Sequence, residues 1–300
     1  MNQKRDRSCL LLAAILLLYV VLAAWYSVTI PLGEAPDEVP HFTYVRYLAQ
    51  HGRLPTTDEE HEAFQPPLYY AMGAAFTFWI EDQPETPFAI RASAHYDVTD
   101  PDAPKNLLLH TAGEDWPYRG WPLAWHLVRL LSIALGAITI WAVFHLGRVL
   151  FPGKPAIPLT MAALTAFTPQ FLFISAVVNN DNAATAFSAL VLWQMAALLH
   201  EKQCARLWKR SAVLGLVLGL AILSKASLVA LLPVAGLAIV VASIRCGASS
   251  VIPQTPRAKD WMGRAAVSLL VAFGLAAVSY THLTLPTTRQ RCRWRWWRVL

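Results

Sequence analysis

Seven long apolar runs, at 9–30, 123–151, 157–178, 183–199, 211–222, 228–244 and 265–278, constrain this chain more than any other feature. Most are long enough to cross, or nearly cross, the hydrocarbon of a bilayer. A crossing segment must satisfy its own backbone hydrogen bonds, so runs of this kind are expected as helices. Hydrophobic residues make up 56% of the chain and charged residues 15%, beyond what a soluble domain usually carries. The expected fold is all-α, a polytopic transmembrane helical bundle. The first run follows a basic start and precedes small residues, as a signal peptide does, but its length and the runs behind it favour a retained helix.

The formal charge of +6 would suggest nucleic acid in a soluble protein, but its distribution points to a membrane and to no nucleic-acid partner. Residues 31–120 hold 15 of the 19 acids against five bases. The short connections are basic instead: Lys4, Arg5 and Arg7, then Arg148 and Lys154, then Lys202, Arg206, Lys209 and Arg210, then Arg245, Arg257, Lys259 and Arg264. By the positive-inside rule the N-terminus is expected in the cytoplasm of a bacterial inner membrane, with 31–120 as a long extracytoplasmic first loop. That loop has no cysteine, so no disulfide framework is expected in it.

Four regions follow: 1–30, the cytoplasmic start and first span; 31–120, the outer loop; 121–277, spans two to seven, the last incomplete; and 278–300. In the last, V-S-Y-T-H-L-T-L-P-T-T reads as a translated sequencing adapter followed by a basic, Trp-rich tail. The residues before it are therefore expected to be part of a longer chain.

Two stretches of the loop carry helical signals. Val39, Phe42, Val45 and Leu48 recur every three residues, which predicts a short amphipathic helix lying in the membrane interface and ended by Gly52. The 64–80 stretch opens with Gln65-Pro66-Pro67 and is long enough to span. Spanning would put the basic loops on the wrong side, so it is expected to be interfacial or re-entrant. The 81–122 stretch is polar, rich in Pro and Asp, and without periodicity.

The ionisable residues gather at one end of the expected bundle. Asp37, Glu38, His41 and Arg46 follow span one, Arg129 opens span two, Asp181 lies between spans three and four, and Lys225 ends span five. Such groups at membrane depth are costly and usually face a cavity or one another. Asp37 and His41 are four residues apart, a helical spacing that raises a metal reading, but D-E-x-x-H is not H-E-x-x-H and Pro40 interrupts it.

The order P-D-E-V-P-H-F-T-Y-V-R-Y-L-A-Q-H-G-R-L-P, Q-P-P-L-Y-Y, an Arg in the next span, an Asp between spans three and four, and L-S-K-A-S-L resembles the GT-C superfamily of membrane glycosyltransferases. The nearest patterns are those of protein O-mannosyltransferases, lipid A aminoarabinose transferases and a related membrane family with a P-D-E loop. The similarity covers roughly residues 9–245 and leaves 81–122 unmatched.

The resemblance implies transfer of a sugar from a polyprenyl-phosphate carrier to an acceptor hydroxyl of a glycan, lipid or protein at the outer face. It implies Asp37 as general base with Glu38 in support. Asp181 would position acceptor or donor sugar, and Lys225, with Arg129 less strongly, would contact the phosphate. His41 and Arg46 lie beside these, and Arg46 equally suits an ion pair with Asp37 or Glu38. Tyr69 and Tyr70 would stack on sugar or lipid, or anchor at the interface. No cofactor is expected, although a divalent cation serves the oligosaccharyltransferase branch. A different class of function, a transporter or flippase or a non-catalytic scaffold of envelope polysaccharide synthesis, would show internal repeats or broken helices with polar midplane residues.

Overall fold

A computed structural model describes residues 2–81, 105–201 and 203–248, together with residues 93, 99 and 102. Its α-helices, in chain order, are α1 (Asn2–Thr29), α2 (Glu38–His51), α3 (Leu68–Thr77), α4 (Gly120–Leu150), α5 (Ala156–Phe167), α6 (Pro169–Ser175), α7 (Asp181–Leu199), α8 (Leu207–Ser224) and α9 (Leu231–Ala248). Five stretches, Arg7–Thr29, Gly120–Leu150, Asp181–Leu199, Leu207–Ser224 and Ala226–Cys246, are helical, long and apolar enough to cross a membrane. The run at 265–278 and the 278–300 tail lie outside the described residues.

The third run, expected as one continuous span, is instead two helices bent by 63°. Pro169 opens α6, and Thr168 before it is extended at φ −67°, ψ 120°. Proline lacks an N–H for the helix ladder and disfavours helical geometry in the residue before it, so the chain breaks there.

α4 is the central post and packs against α1, α3, α5, α6 and α7. Its approach to α1 depends on Gly136, where a β-carbon would fall 1.9 Å from the Tyr19 hydroxyl. Because successive helices alternate in direction, Arg148, Lys154, Arg206, Lys209, Arg210 and Arg245 stand at one end of the bundle. The first loop, the α6–α7 turn and Lys225 stand at the other. Cys204, before α8, and Cys246, in α9, lie side by side at the basic end.

The two loop helices sit on the opposite end. α3 has ten residues, about 15 Å at 1.5 Å per residue, half the thickness of a bilayer core. It does not span. The Val39, Phe42, Val45 and Leu48 stripe of α2 is real, but it faces protein rather than acyl chains. Phe42 and Val45 are fully buried in a cluster with Tyr69, Tyr70, Trp121, Trp125, Val128 and Val178. Phe42 stacks on Trp125 with centroids 4.0 Å apart. Gly73 of α3 lies against Val45, where a β-carbon would have only 3.1 Å of room, so the two helices come close. Phe64, Phe76, Phe78 and Trp79, by contrast, are all exposed.

Candidate functional site

Adjacent carboxylates at the start of α2 meet opposite fates. Glu38, the first helical residue, is fully buried. Its Oε1 accepts from Arg129 Nε at 2.7 Å and from the Val178 amide at 2.9 Å, and its Oε2 accepts from Arg129 Nη2 at 2.7 Å and the Gly33 amide at 3.1 Å. Arg129 is equally saturated. Its remaining N–H groups donate to the carbonyls of Ser27 at 2.6 Å, Ile30 at 2.7 Å and Pro31 at 3.1 Å. A guanidinium has five N–H donors, and all are used. This pair fastens the first loop, the end of α1, α4 and the α6–α7 turn together. Nothing remains on Arg129 for a phosphate, or on Glu38 for a proton, while those bonds hold.

Asp37 is exposed and caps α2 in a left-handed conformation, φ 58°, ψ 7°, the one non-glycine residue at positive φ among those described. That geometry costs a residue with a β-carbon about 1–2 kcal/mol. Its carboxylate makes no capping hydrogen bond to the helix. The strain therefore holds in place a side chain that the helix does not consume, a combination found at functional sites.

The second cluster is assembled by the α6–α7 turn. In Asn179-Asn180-Asp181-Asn182 the asparagines do the turn's work. Asn179 Oδ1 accepts from the Asp181 amide at 2.8 Å, and Asn182 Nδ2 donates to the carbonyls of Ile174 at 2.9 Å and Asn179 at 3.1 Å. Asn180 Nδ2 reaches Gln65 Oε1 at 3.3 Å and the Ser224 carbonyl at 3.4 Å, tying the first loop to the end of α8. The Asp181 carboxylate is left to pair with Lys225 Nζ. Both side chains are part-exposed, at 45% and 36%.

His41 sits among these groups. Its Nδ1 shares a 2.8 Å hydrogen bond with the Tyr70 hydroxyl, and Tyr70 in turn stacks on Tyr44 at 4.0 Å. Burial holds His41 below the ordinary histidine value, against the pull of Glu62, Asp37 and Asp181, and Lys225 lies within electrostatic reach. His41 thus lies within electrostatic reach of three carboxylates and one ammonium. Burial, and next the Glu62 charge, pushes the Tyr70 phenol far above its usual value.

Of the residues singled out from sequence, Asp37, His41, Asp181 and Lys225 come together. Glu38 and Arg129 meet each other beneath them. Arg46 is buried and donates to the Ile80 carbonyl at 3.2 Å, closing α2 onto the end of α3. Tyr69 does not offer a stacking face. It is fully buried, its hydroxyl shared with Ser132 Oγ at 2.7 Å and accepting from the Asn179 amide at 3.1 Å. Tyr70 is equally buried. Two members were missed. Glu62 and Gln65 occupy E-A-F-Q-P-P-L-Y-Y, and their place just ahead of the Pro-Pro-anchored helix was the signal. Among the described residues no group of three or more His, Cys, Asp or Glu side chains is arranged to hold a metal ion.

The model of a family described as dolichyl-phosphate-mannose-protein mannosyltransferase matches residues 125–256. That range includes Arg129, Asp181 and Lys225 and leaves out the first loop. Among solved structures, the S. cerevisiae protein O-mannosyltransferase Pmt1-Pmt2 complex bound to the sugar donor is similar, with a TM-score of 0.64 and 17% identity. The match covers 93% of this chain and 33% of that one, so the chain spans about a third of its neighbour's length. A comparison with curated proteins gives no match. The resemblance read from the sequence is borne out at the level of the fold: the chain is a multi-pass helical bundle whose fold is similar to that of the protein O-mannosyltransferase complex.

Proposed function

We propose, on the premise of a GT-C fold, that this chain is the catalytic part of a membrane glycosyltransferase that moves a sugar from a polyprenyl-phosphate carrier to an acceptor hydroxyl. The observation that carries the reading is the gathering of Asp37, His41, Asp181 and Lys225 from three distant segments at one end of the bundle, above a buried pair that fixes them.

In this reading Asp37 is the general base. It accepts the proton of the acceptor hydroxyl as that oxygen bonds to the anomeric carbon. The bond from the anomeric carbon to the phosphate oxygen breaks on the opposite side, and its electron pair leaves with the polyprenyl phosphate, inverting the centre. Lys225 meets the phosphate charge. Three carboxylates against one ammonium suit a transition state in which the sugar ring gains positive charge, as in glycoside hydrolysis. Asp181 holds Lys225 in place and faces the sugar or acceptor. By the positive-inside rule, the basic end faces the cytoplasm of a bacterial inner membrane and the site faces outward.

The broken α5–α6 span is a feature expected of a transporter. Residues 156–175, however, contain no ionisable side chain that would coordinate a substrate at the break. The charges sit at the bundle's end, which favours the enzyme.

The test uses the uninterrupted full-length protein in proteoliposomes with a labelled polyprenyl-phosphate sugar. Asp37→Asn is expected to lower kcat by about 10²–10⁴-fold with the fold intact. Near-normal turnover would remove Asp37 from the role of base. For the orientation, a cysteine placed at Asp58 should react with a membrane-impermeant maleimide in intact spheroplasts.

A further inference from the structure

Beyond adding its charge to the carboxylates near His41, Glu62 has no assigned role in the reaction above, yet one of its buried oxygens has no hydrogen-bond donor. Its side chain keeps only 10% of its surface, and Oε2 has no hydrogen-bond partner. The nearest cationic candidate, His61 Nε2, is 4.0 Å from Oε1 and belongs to an 81% exposed ring. Among the described residues no lysine or arginine pairs with Glu62. Glu38, which is buried still more completely, receives four donors. The fold therefore supplies donors to one buried carboxylate and withholds them from another, although an unsatisfied buried carboxylate oxygen is costly.

The location gives this omission a direction. Glu62 is close enough to act electrostatically on His41 and on Tyr70, both of which also feel Asp181. Three residues on, Gln65 is bonded to Asn180, next to Asp181. Glu62 thus borders the same cluster as Asp37, but from a recessed position. An exposed carboxylate can meet an incoming acceptor. A recessed, acceptor-only group that no described donor satisfies is suited to a ligand that brings O–H donors to it.

We infer that Glu62 is the sugar-recognition residue of the site, its carboxylate accepting a hydrogen bond from a ring hydroxyl of the lipid-linked sugar. The inference rests on the glycosyl-transfer reading. It adds a residue for specificity rather than for proton transfer, positioned so that a carrier without a sugar leaves the carboxylate unsatisfied. Sites built to hydrogen-bond a hydroxyl discriminate strongly against ligands that lack it.

Binding separates this inference from turnover. The full-length protein in nanodiscs is titrated, by its tryptophan fluorescence, with short-chain polyprenyl phosphate and with its mannosyl, glucosyl, galactosyl and aminoarabinosyl forms. The wild type is expected to bind at least one sugar-bearing lipid about ten-fold or more tightly than the sugar-free lipid. Glu62→Gln and Glu62→Ala should bring that ratio towards one and leave affinity for the sugar-free lipid unchanged. A wild-type ratio near one for every sugar, or a ratio both variants keep, overturns the inference. Equal loss of affinity for all lipids in both variants also overturns it, by marking Glu62 as scaffold. Sugar-dependent binding that requires Glu62, without transfer to any acceptor, supports the inference and counts against the transfer reading alone.

Discussion

Two ion pairs lie within this site and differ in every respect that matters. Glu38 and Arg129 are fully buried, bidentate at 2.7 Å, and bonded to the backbone of three other segments. Asp181 and Lys225 are part-exposed and joined by a single contact. Coulomb attraction between unit charges grows as water is excluded, but so does the cost of removing the charges from water. The buried pair survives because every donor and acceptor it owns is satisfied. The open pair costs little to part and gains little by holding, so a ligand can share it. Charge in one place is scaffold and in the other is a site, and burial decides which.

Removing one member of the buried pair should break this contrast most severely. Glu38→Gln or Arg129→Met is expected to destabilise the protein by about 3–5 kcal/mol, because each leaves its partner buried and unpaired. Thermal melts in detergent would measure it. The double variant Glu38→Met/Arg129→Met should be less destabilised than either single one, and equal or greater loss would show that the backbone bonds, not the pairing, dominate.

At the open pair the effect should move from stability to function. Asp181→Asn and Lys225→Met should each change stability by no more than about 1 kcal/mol, the range for exposed ion pairs. Sugar transfer should nevertheless fall by at least about ten-fold, as expected when a charge that meets a developing phosphate is lost. A melt shifted as far as that of Arg129→Met would place this pair with the scaffold.

The smallest effect belongs to a third cluster, intermediate in burial between the two pairs. His110 donates or accepts between Glu114 Oε2 at 2.7 Å and Glu34 Oε1 at 3.1 Å, and Glu34 also accepts from the amides of Leu107 and Leu108. Partial burial pulls His110 down, but hydrogen bonds to Glu114 and Glu34 win and raise it above the ordinary histidine value. A raised histidine binds its proton more tightly when folded. The contribution is therefore complete below about pH 6.5, the unfolded value, and fades as pH rises through the folded one. Hydrogen exchange at Leu107 and Leu108 should quicken over that rise, and His110→Gln should remove the dependence.

Much of this was legible beforehand, for reasons that can be named. The spans at α1, α4, α7, α8 and α9 follow from hydropathy, since a bilayer tolerates little else. Asp37, Asp181 and Lys225 were findable because each is a charge at the same end of an apolar helix. Hydropathy could not show the break at Pro169, because proline inside an apolar run is read correctly only when neighbouring helices are in place. The stripe on α2 gave the helix its face, but periodicity does not say whether lipid or protein covers it. Here Trp125 and Val128 do.

The sequence by itself determined that this is an all-helical membrane bundle with its acidic loop and basic connections at opposite ends. That follows from composition and order, which act locally along each segment. Only the tertiary structure decided which of two neighbouring acids is free. Asp37 and Glu38 share a charge and a place in the sequence, but a single residue's turn at the start of α2 sends one outward and delivers the other to Arg129, 91 residues away. Chemistry depends on which donors surround a carboxylate, and those come from across the chain.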